Sequence, residues 1–143
     1  MILIAHRGNI SGPKPDMENN PDYLQNTISM GYNVEIDVWK IKGDFYLGHD
    51  KPDYKIDFGF LRSIKMWCHA KNLEALEVML DNDINCFWHE NDDFTLTNSG
   101  YIWTYPKKQV TPKSIIVCHD LENTKKMSQL DISGVCSDFV ALV

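Results

Sequence analysis

Short apolar runs alternate with capped helical segments along this chain, and that alternation limits the folds open to it more than any other feature. Residues 1–5, 34–39, 45–48, 65–71, 84–90, 114–120 and 134–143 read as strands because they are short, apolar and bounded by turn residues. Between them, "NNPDYLQNTISMG" carries helix punctuation: Asn20 as N-cap, Pro21 at the first helical position, Asp22 in the first turn and Gly31 just past the end. Tyr23, Leu24, Thr27 and Ile28 follow at helical spacing. Asn72 caps "LEALEVMLDND", for which Leu73, Leu76 and Leu80 define the expected apolar face. Asp120 is placed to cap a helix over 121–130, residues 58–63 make one helical turn, and "DFTLTNSGYIWTYP" (93–106) reads as a hairpin turning at Asn98-Ser99-Gly100.

Strands that alternate with helices favour right-handed crossovers and parallel neighbours. The fold expected is therefore α/β: a compact, shortened (β/α) barrel of the TIM type with about seven or eight mostly parallel strands. Such barrels ordinarily take about 200–250 residues, so at 143 residues some outer helices must be short or missing. A doubly wound open sheet is the structural alternative. No linker, low-complexity stretch or repeat divides the chain, which points to one domain over residues 1–143, and 43% hydrophobic residues suffice for a core.

A net charge of −6 leaves no basic footprint for nucleic acid. The opening "MILIAHRGN" is apolar for only five residues, too few for a signal peptide or a membrane span, so no stable membrane insertion and a cytoplasmic location are expected. Cys68, Cys86, Cys118 and Cys136 lie far apart inside or beside apolar runs. They read as buried reduced thiols.

The chemistry is concentrated in "VEIDVW" at 34–39. Side chains along a strand alternate faces, so Glu35 and Asp37 share one face while Val34, Ile36 and Val38 take the other. Two carboxylates held that close repel unless a cation, a proton or a base lies between them, and a divalent metal with oxygen ligands satisfies both. In "WCHAK", Trp67, His69 and Lys71 again share one face, and His6 and Arg7 end the first strand. Polar groups gathered at the C-terminal ends of parallel strands are where barrels and open α/β sheets build their sites.

Four short motifs carry a resemblance to a known family. "AHRGN" at 5–9, "MENN" at 17–20, "VEIDVW" at 34–39 and "LGHD" at 47–50 stand in the order and spacing of the H-R-G, E-N-T, E-x-D-V and H-D motifs of the glycerophosphodiester phosphodiesterases. The chain thus resembles that family, within the wider phosphatidylinositol-phospholipase-C-like superfamily, over residues 1–50 and again at "HAK" (69–71), with "GVCSDF" similar to the family's last strand. The resemblance implies a metal-dependent phosphodiesterase acting on a small-molecule glycerophosphodiester, with His6 and His49 as an acid–base pair. It further implies Glu35, Asp37 and His69 as ligands of a divalent metal ion (Mg²⁺, Ca²⁺ or Mn²⁺) and Arg7 and Lys71 as phosphate-binding cations. The chain departs from the pattern at Asn20, where the family has threonine, and at His69, where it has an acid.

Glu18, His89 and Trp103 are further candidates to line the site, with Glu18 either a ligand or an orienting group. His119, beside Asp120, is read as part of a helix cap. Two rival activities fit the same residues: a phospholipase-D-like lyase releasing a cyclic phosphate, and a phosphate-ester-binding domain without turnover.

Overall fold

The longest strand, β2 (Asn33–Ile41), organises the sheet because it pairs along both edges. A computed structural model describes residues 1–143. On one edge, β1 (Ile2–His6) runs parallel to the first half of β2, and β3 (Asp44–Leu47) runs antiparallel to the second half. On the other edge lies β5 (Met66–Ala70), parallel, followed by the two-residue β6 (Cys86–Phe87). From β1 the sheet continues through β10 (Gly134–Ser137), β9 (Ser114–Cys118) and β8 (Ile102–Thr104), each parallel to its neighbour. The antiparallel strand β7 (Phe94–Leu96) ends it, while β4 (Tyr54–Ile56) extends the flap begun by β3.

This architecture corrects the expected one. The sheet is a curled, mixed half-barrel carrying only three α-helices, α1 (Pro21–Ser29), α2 (Leu73–Asp81) and α3 (Leu121–Met127), and not a mostly parallel (β/α) barrel of the TIM type. The physical reason lies in the connections. Lys42 and Gly43, both at positive φ (50° and 85°), turn β2 directly back into β3, the tight geometry of an antiparallel hairpin. Residues 105–113 between β8 and β9 contain no helix, and a helical crossover needs a dozen residues or more.

No ladder joins β6 to β8. Asn98, in the β7–β8 turn, spans that gap: its Nδ2 donates to the Ile84 carbonyl (2.7 Å), its Oδ1 accepts from the Cys86 amide (2.8 Å), and its own amide donates to the Cys86 carbonyl (3.1 Å). A side-chain amide thus replaces two rungs of a sheet.

Strand alternation divides the core. Val34, Ile36 and Val38, with Met66, Cys68 and Ala70, face outward into the main cluster under α1 and α2. Ile4, Trp67, Phe87, Trp103, Ile115 and Cys136 face inward and form a second cluster that plugs the curl. Helix capping follows the sequence: Asn20 accepts from the Asp22 and Tyr23 amides, Asn72 from Ala75, and Asp120 from Asn123. On α2, however, Ala75 and Met79 are fully buried, whereas Leu73 and Leu80 are 70% and 48% exposed. The helix packs through Ala75, Met79 and the partly buried Leu76, so of the expected leucine face only Leu76 meets the core. The last segment also ends early, at Ser137, and continues as a 3₁₀ turn over Val140–Leu142. No helix is long and apolar enough to cross a membrane.

Candidate active site

The inward parity of each strand continues two residues beyond the apolar plug. Ile4 is followed by His6, Trp67 by His69, Phe87 by His89, Trp103 by Tyr105, Val117 by His119 and Cys136 by Asp138, while Glu35 and Asp37 occupy the same face of β2. The curl therefore has an apolar floor and a polar mouth, a cleft of about 360 Å³. Its lining includes His6, Arg7, Glu35, Asp37, His49, His69, Lys71, His89 and Trp103. These are all the site residues expected from the sequence except Glu18, and the five histidines of the chain are all among the lining residues.

Asp37 is the centre of charge. It is 1% exposed, and its Oδ2 accepts from Asn19 Nδ2 (2.9 Å) and lies 3.5 Å from Arg7 Nε. Its Oδ1 has no hydrogen-bond partner, although His69 Nδ1 (3.3 Å) and Lys71 Nζ (3.7 Å) stand close. Burial would raise the carboxyl pKa, but His69 and Arg7 outweigh it and hold Asp37 well below the usual carboxylate range. Glu35 behaves in the opposite way. It is 3% exposed, and burial together with the Asp37 charge pushes its pKa up.

His69 is fixed on three sides. Its Nε2–H donates to the His89 carbonyl (3.0 Å), its ring stacks on Phe87 (5.2 Å between centroids, 8° between planes), and its Nδ1 faces Asp37. Burial lowers its basicity, yet the nearby carboxylates of Asp37 and Glu35 and the His89 carbonyl raise its pKa overall. The nearest ligand atoms of Glu35, Asp37 and His69 all lie within 4.8 Å of one another. An unpartnered buried carboxylate oxygen, a second buried carboxylate and an imidazole nitrogen whose tautomer is set by a backbone carbonyl form a donor set that fits a divalent cation.

Around this centre the loop after β1 is tightly ordered. Arg7 and Gly8 take positive φ (52° and 93°), and a side chain on Gly8 would press on the Tyr23 ring. That turn sends the Arg7 amide to Glu35 Oε2 (3.2 Å) and its guanidinium to Glu18 Oε2 (3.0 Å). Glu18 also accepts from Asn9 Nδ2 (2.9 Å). Glu18 thus stands behind Arg7 as an orienting group and is not among the lining residues.

His49 lies on the β3–β4 loop, half exposed, with Nδ1 2.7 Å from Asp50. Gly48 positions it: a Cβ there would collide with the Lys51 carbonyl, and the Gly48 carbonyl accepts from Trp39 Nε1 (2.6 Å). His6 Nδ1 bonds Asp138 Oδ1 (3.0 Å), which also accepts from the buried Asn9 (2.8 Å). Burial alone would lower the His6 pKa, but Asp138 lifts it above the ordinary imidazole value.

The sequence reading did not single out Asn9, Asn19 or Asp138 and treated His119 as a capping neighbour. Asp138 and His119 were nevertheless legible, because each continues the inward parity of an apolar strand as His6 and His69 do. Asn9 and Asn19 lie in loops without periodicity and offered no such signal. No protein-family model, no curated protein and no solved structure matches this chain.

Proposed function

We propose that the protein is a metal-dependent phosphodiesterase acting on a small glycerophosphodiester-type substrate. The observation that carries this reading is the convergence of Glu35, Asp37 and His69 with the cations Arg7 and Lys71 on one cleft, beside His6 and His49. A phosphodiester anion needs its charge neutralised, an attacking oxygen aimed at phosphorus and a proton for the leaving oxygen. Glu35, Asp37 and His69 are the residues that would hold a divalent cation, whose chemistry is to neutralise charge on a phosphoryl oxygen.

Arg7, anchored by Glu18, and Lys71 contribute fixed positive charge where the phosphate would bind. His6 and His49 are the imidazoles that exchange protons with the substrate. Each has a carboxylate at Nδ1, Asp138 or Asp50, which orients the ring. His49, reaching in from a loop on the β2 side, protonates the leaving oxygen. Phe87, Trp103 and Tyr105 give the opposite wall an aromatic surface for the alcohol portion. A cytoplasmic setting belongs to the same proposal and is supported by four buried thiols at Cys68, Cys86, Cys118 and Cys136.

The test is turnover of a glycerophosphodiester by protein stripped of metal and then reconstituted, with products followed by ³¹P NMR. Phosphomonoester formed only with added metal is the expected result. A cyclic phosphate as final product would identify the lyase reaction, and tight substrate binding without turnover would identify a binding domain.

A further inference from the structure

Asn9 is fully buried, at 0% exposure, and its backbone amide closes the turn after β1 on the His6 carbonyl (2.9 Å). Its side chain uses every hydrogen bond a primary amide can make. Nδ2 donates to Glu18 Oε1 (2.9 Å) and to Asp138 Oδ1 (2.8 Å), while Oδ1 accepts from the Lys14 amide (3.1 Å) and the Tyr23 hydroxyl (3.3 Å). These partners fix which way the amide points, because turning it over would aim its oxygen at two carboxylates.

Both carboxylates hold a residue of the cleft at the same time. Glu18 Oε2 accepts from Arg7 Nη1 (3.0 Å), and the Asp138 oxygen that meets Asn9 also meets His6 Nδ1 (3.0 Å). A continuous set of contacts therefore runs from His6 through Asp138, Asn9 and Glu18 to Arg7, leaving one residue and returning to its neighbour. Arg7 in particular needs outside support, since its φ of 52° is uncommon for any residue but glycine. We infer that Asn9 is a positioning residue of the phosphoryl site: one buried amide bridges the carboxylates behind His6 and Arg7 and sets the imidazole and the guanidinium as a unit. This inference rests on the phosphodiesterase reading and adds a residue to which the motifs assign no role.

An uncharged group with two N–H bonds is what this position requires. A lysine or arginine would compete with His6 and Arg7 for the same carboxylates, and an acid would add a third negative charge beside two. An apolar side chain would leave both carboxylates short of a donor in a buried place. Because His6 exchanges a proton with the substrate and Arg7 holds its phosphate, loss of the bridge should reach kcat and KM together. A residue that served only one of the two would move mainly one constant.

The experiment compares Asn9→Ala and Asn9→Ser with the wild type and with Tyr23→Phe, which removes a hydrogen bond from the same amide but keeps its bridge. With metal-loaded protein and bis(p-nitrophenyl) phosphate, both Asn9 variants should lower kcat and raise KM, a combined loss of about 10–100-fold in kcat/KM, while Tyr23→Phe stays within about threefold of wild type. Proton NMR gives a readout that needs no turnover. The low-field resonance of the His6 Nδ1–H that donates to Asp138, assigned by its absence in His6→Gln, should persist in wild type and Tyr23→Phe and be lost to exchange with water in both Asn9 variants. An unchanged resonance in a folded Asn9 variant, or unchanged kcat and KM, would overturn the assignment. Failure of both Asn9 variants to fold would also overturn it, by making Asn9 a purely structural residue. Absence of turnover by the metal-loaded wild type would overturn the phosphodiesterase reading, and the resonance would still decide whether Asn9 orders His6.

Discussion

Replacing Asn98 by alanine removes the link between β6 and the β7–β8 hairpin, and its cost can be worked from two contacts. The substitution strips the Ile84 carbonyl of a 2.7 Å donor and the Cys86 amide of a 2.8 Å acceptor. Both residues are buried, at 4% and 1% exposure. A buried backbone group left without a partner costs about 1–3 kcal/mol. Asn98 itself is exposed, so water can approach from one side, and the lower part of the range applies: about 2–3 kcal/mol for the pair. At about 2–4 °C per kcal/mol for a domain near this size, the melting temperature should fall by roughly 5–10 °C. Urea denaturation followed by tryptophan fluorescence is a suitable assay, because Trp67 and Trp103 lie in the plug beside the gap. The midpoint should fall with the slope unchanged. The cleft wall should also loosen, since Phe87 and His89 stand on one side of the link and Trp103 and Tyr105 on the other. A loss under about 0.5 kcal/mol would refute the claim that Asn98 closes the half-barrel.

Other predictions concern the cleft. Glu35→Gln removes one of two buried, mutually repelling carboxylates while keeping shape, so a thermal melt should show unchanged or higher stability, whereas metal binding by calorimetry and turnover should both be largely lost. His49→Ala should slow an alkyl phosphodiester by about 10²–10⁴-fold but bis(p-nitrophenyl) phosphate far less, because p-nitrophenolate leaves without a proton; equal losses would remove His49 as the acid. His69 adds an imidazole to two carboxylates, which favours Mn²⁺ or another transition metal over Mg²⁺, and His69→Glu should shift the ranking of activating metals toward Mg²⁺ or Ca²⁺. Identical rankings would show that His69 is not a ligand. For Asp138→Asn the effect is a stability difference that depends on pH. The folded-state pKa of His6 is raised, so its contribution is present below the unfolded value of about 6.5 and fades as pH rises through the folded one; that of Asp138 is lowered, so its contribution is present above about pH 4 and fades as pH falls. The deficit of the variant, measured by denaturation at a series of pH values, should therefore peak between about pH 4 and 6.5, and a deficit independent of pH would contradict the pairing.

The site was more legible than the architecture, and the reason is the reach of each signal. Strand alternation is a local rule, and it correctly placed Glu35 and Asp37 on one face, His69 with Trp67, and polar groups at the strand ends. The three caps Asn20, Asn72 and Asp120 are equally local. Whether neighbouring strands run parallel depends on what the connections can span. The β2–β3 and β7–β8 turns reverse the chain at once, and residues 105–113 supply no helix, so counting alternating elements overstated the parallel barrel. The leucine spacing of α2 held only in part: Leu76 packs on the core, but Leu73 and Leu80 are exposed and Ala75 and Met79 complete the buried face. His119 was overshadowed by Asp120, whose capping role is real, although parity along β9 marks the histidine as facing inward.

The most direct test of the central claim is the initial rate of p-nitrophenol release from bis(p-nitrophenyl) phosphate by chelator-stripped protein, before and after addition of Mn²⁺. The account predicts no measurable turnover without metal, turnover on addition, and none from Glu35→Gln under either condition. An equal rate in the presence of EDTA, or no turnover with any divalent cation from a protein whose thermal melt shows it folded, would contradict it.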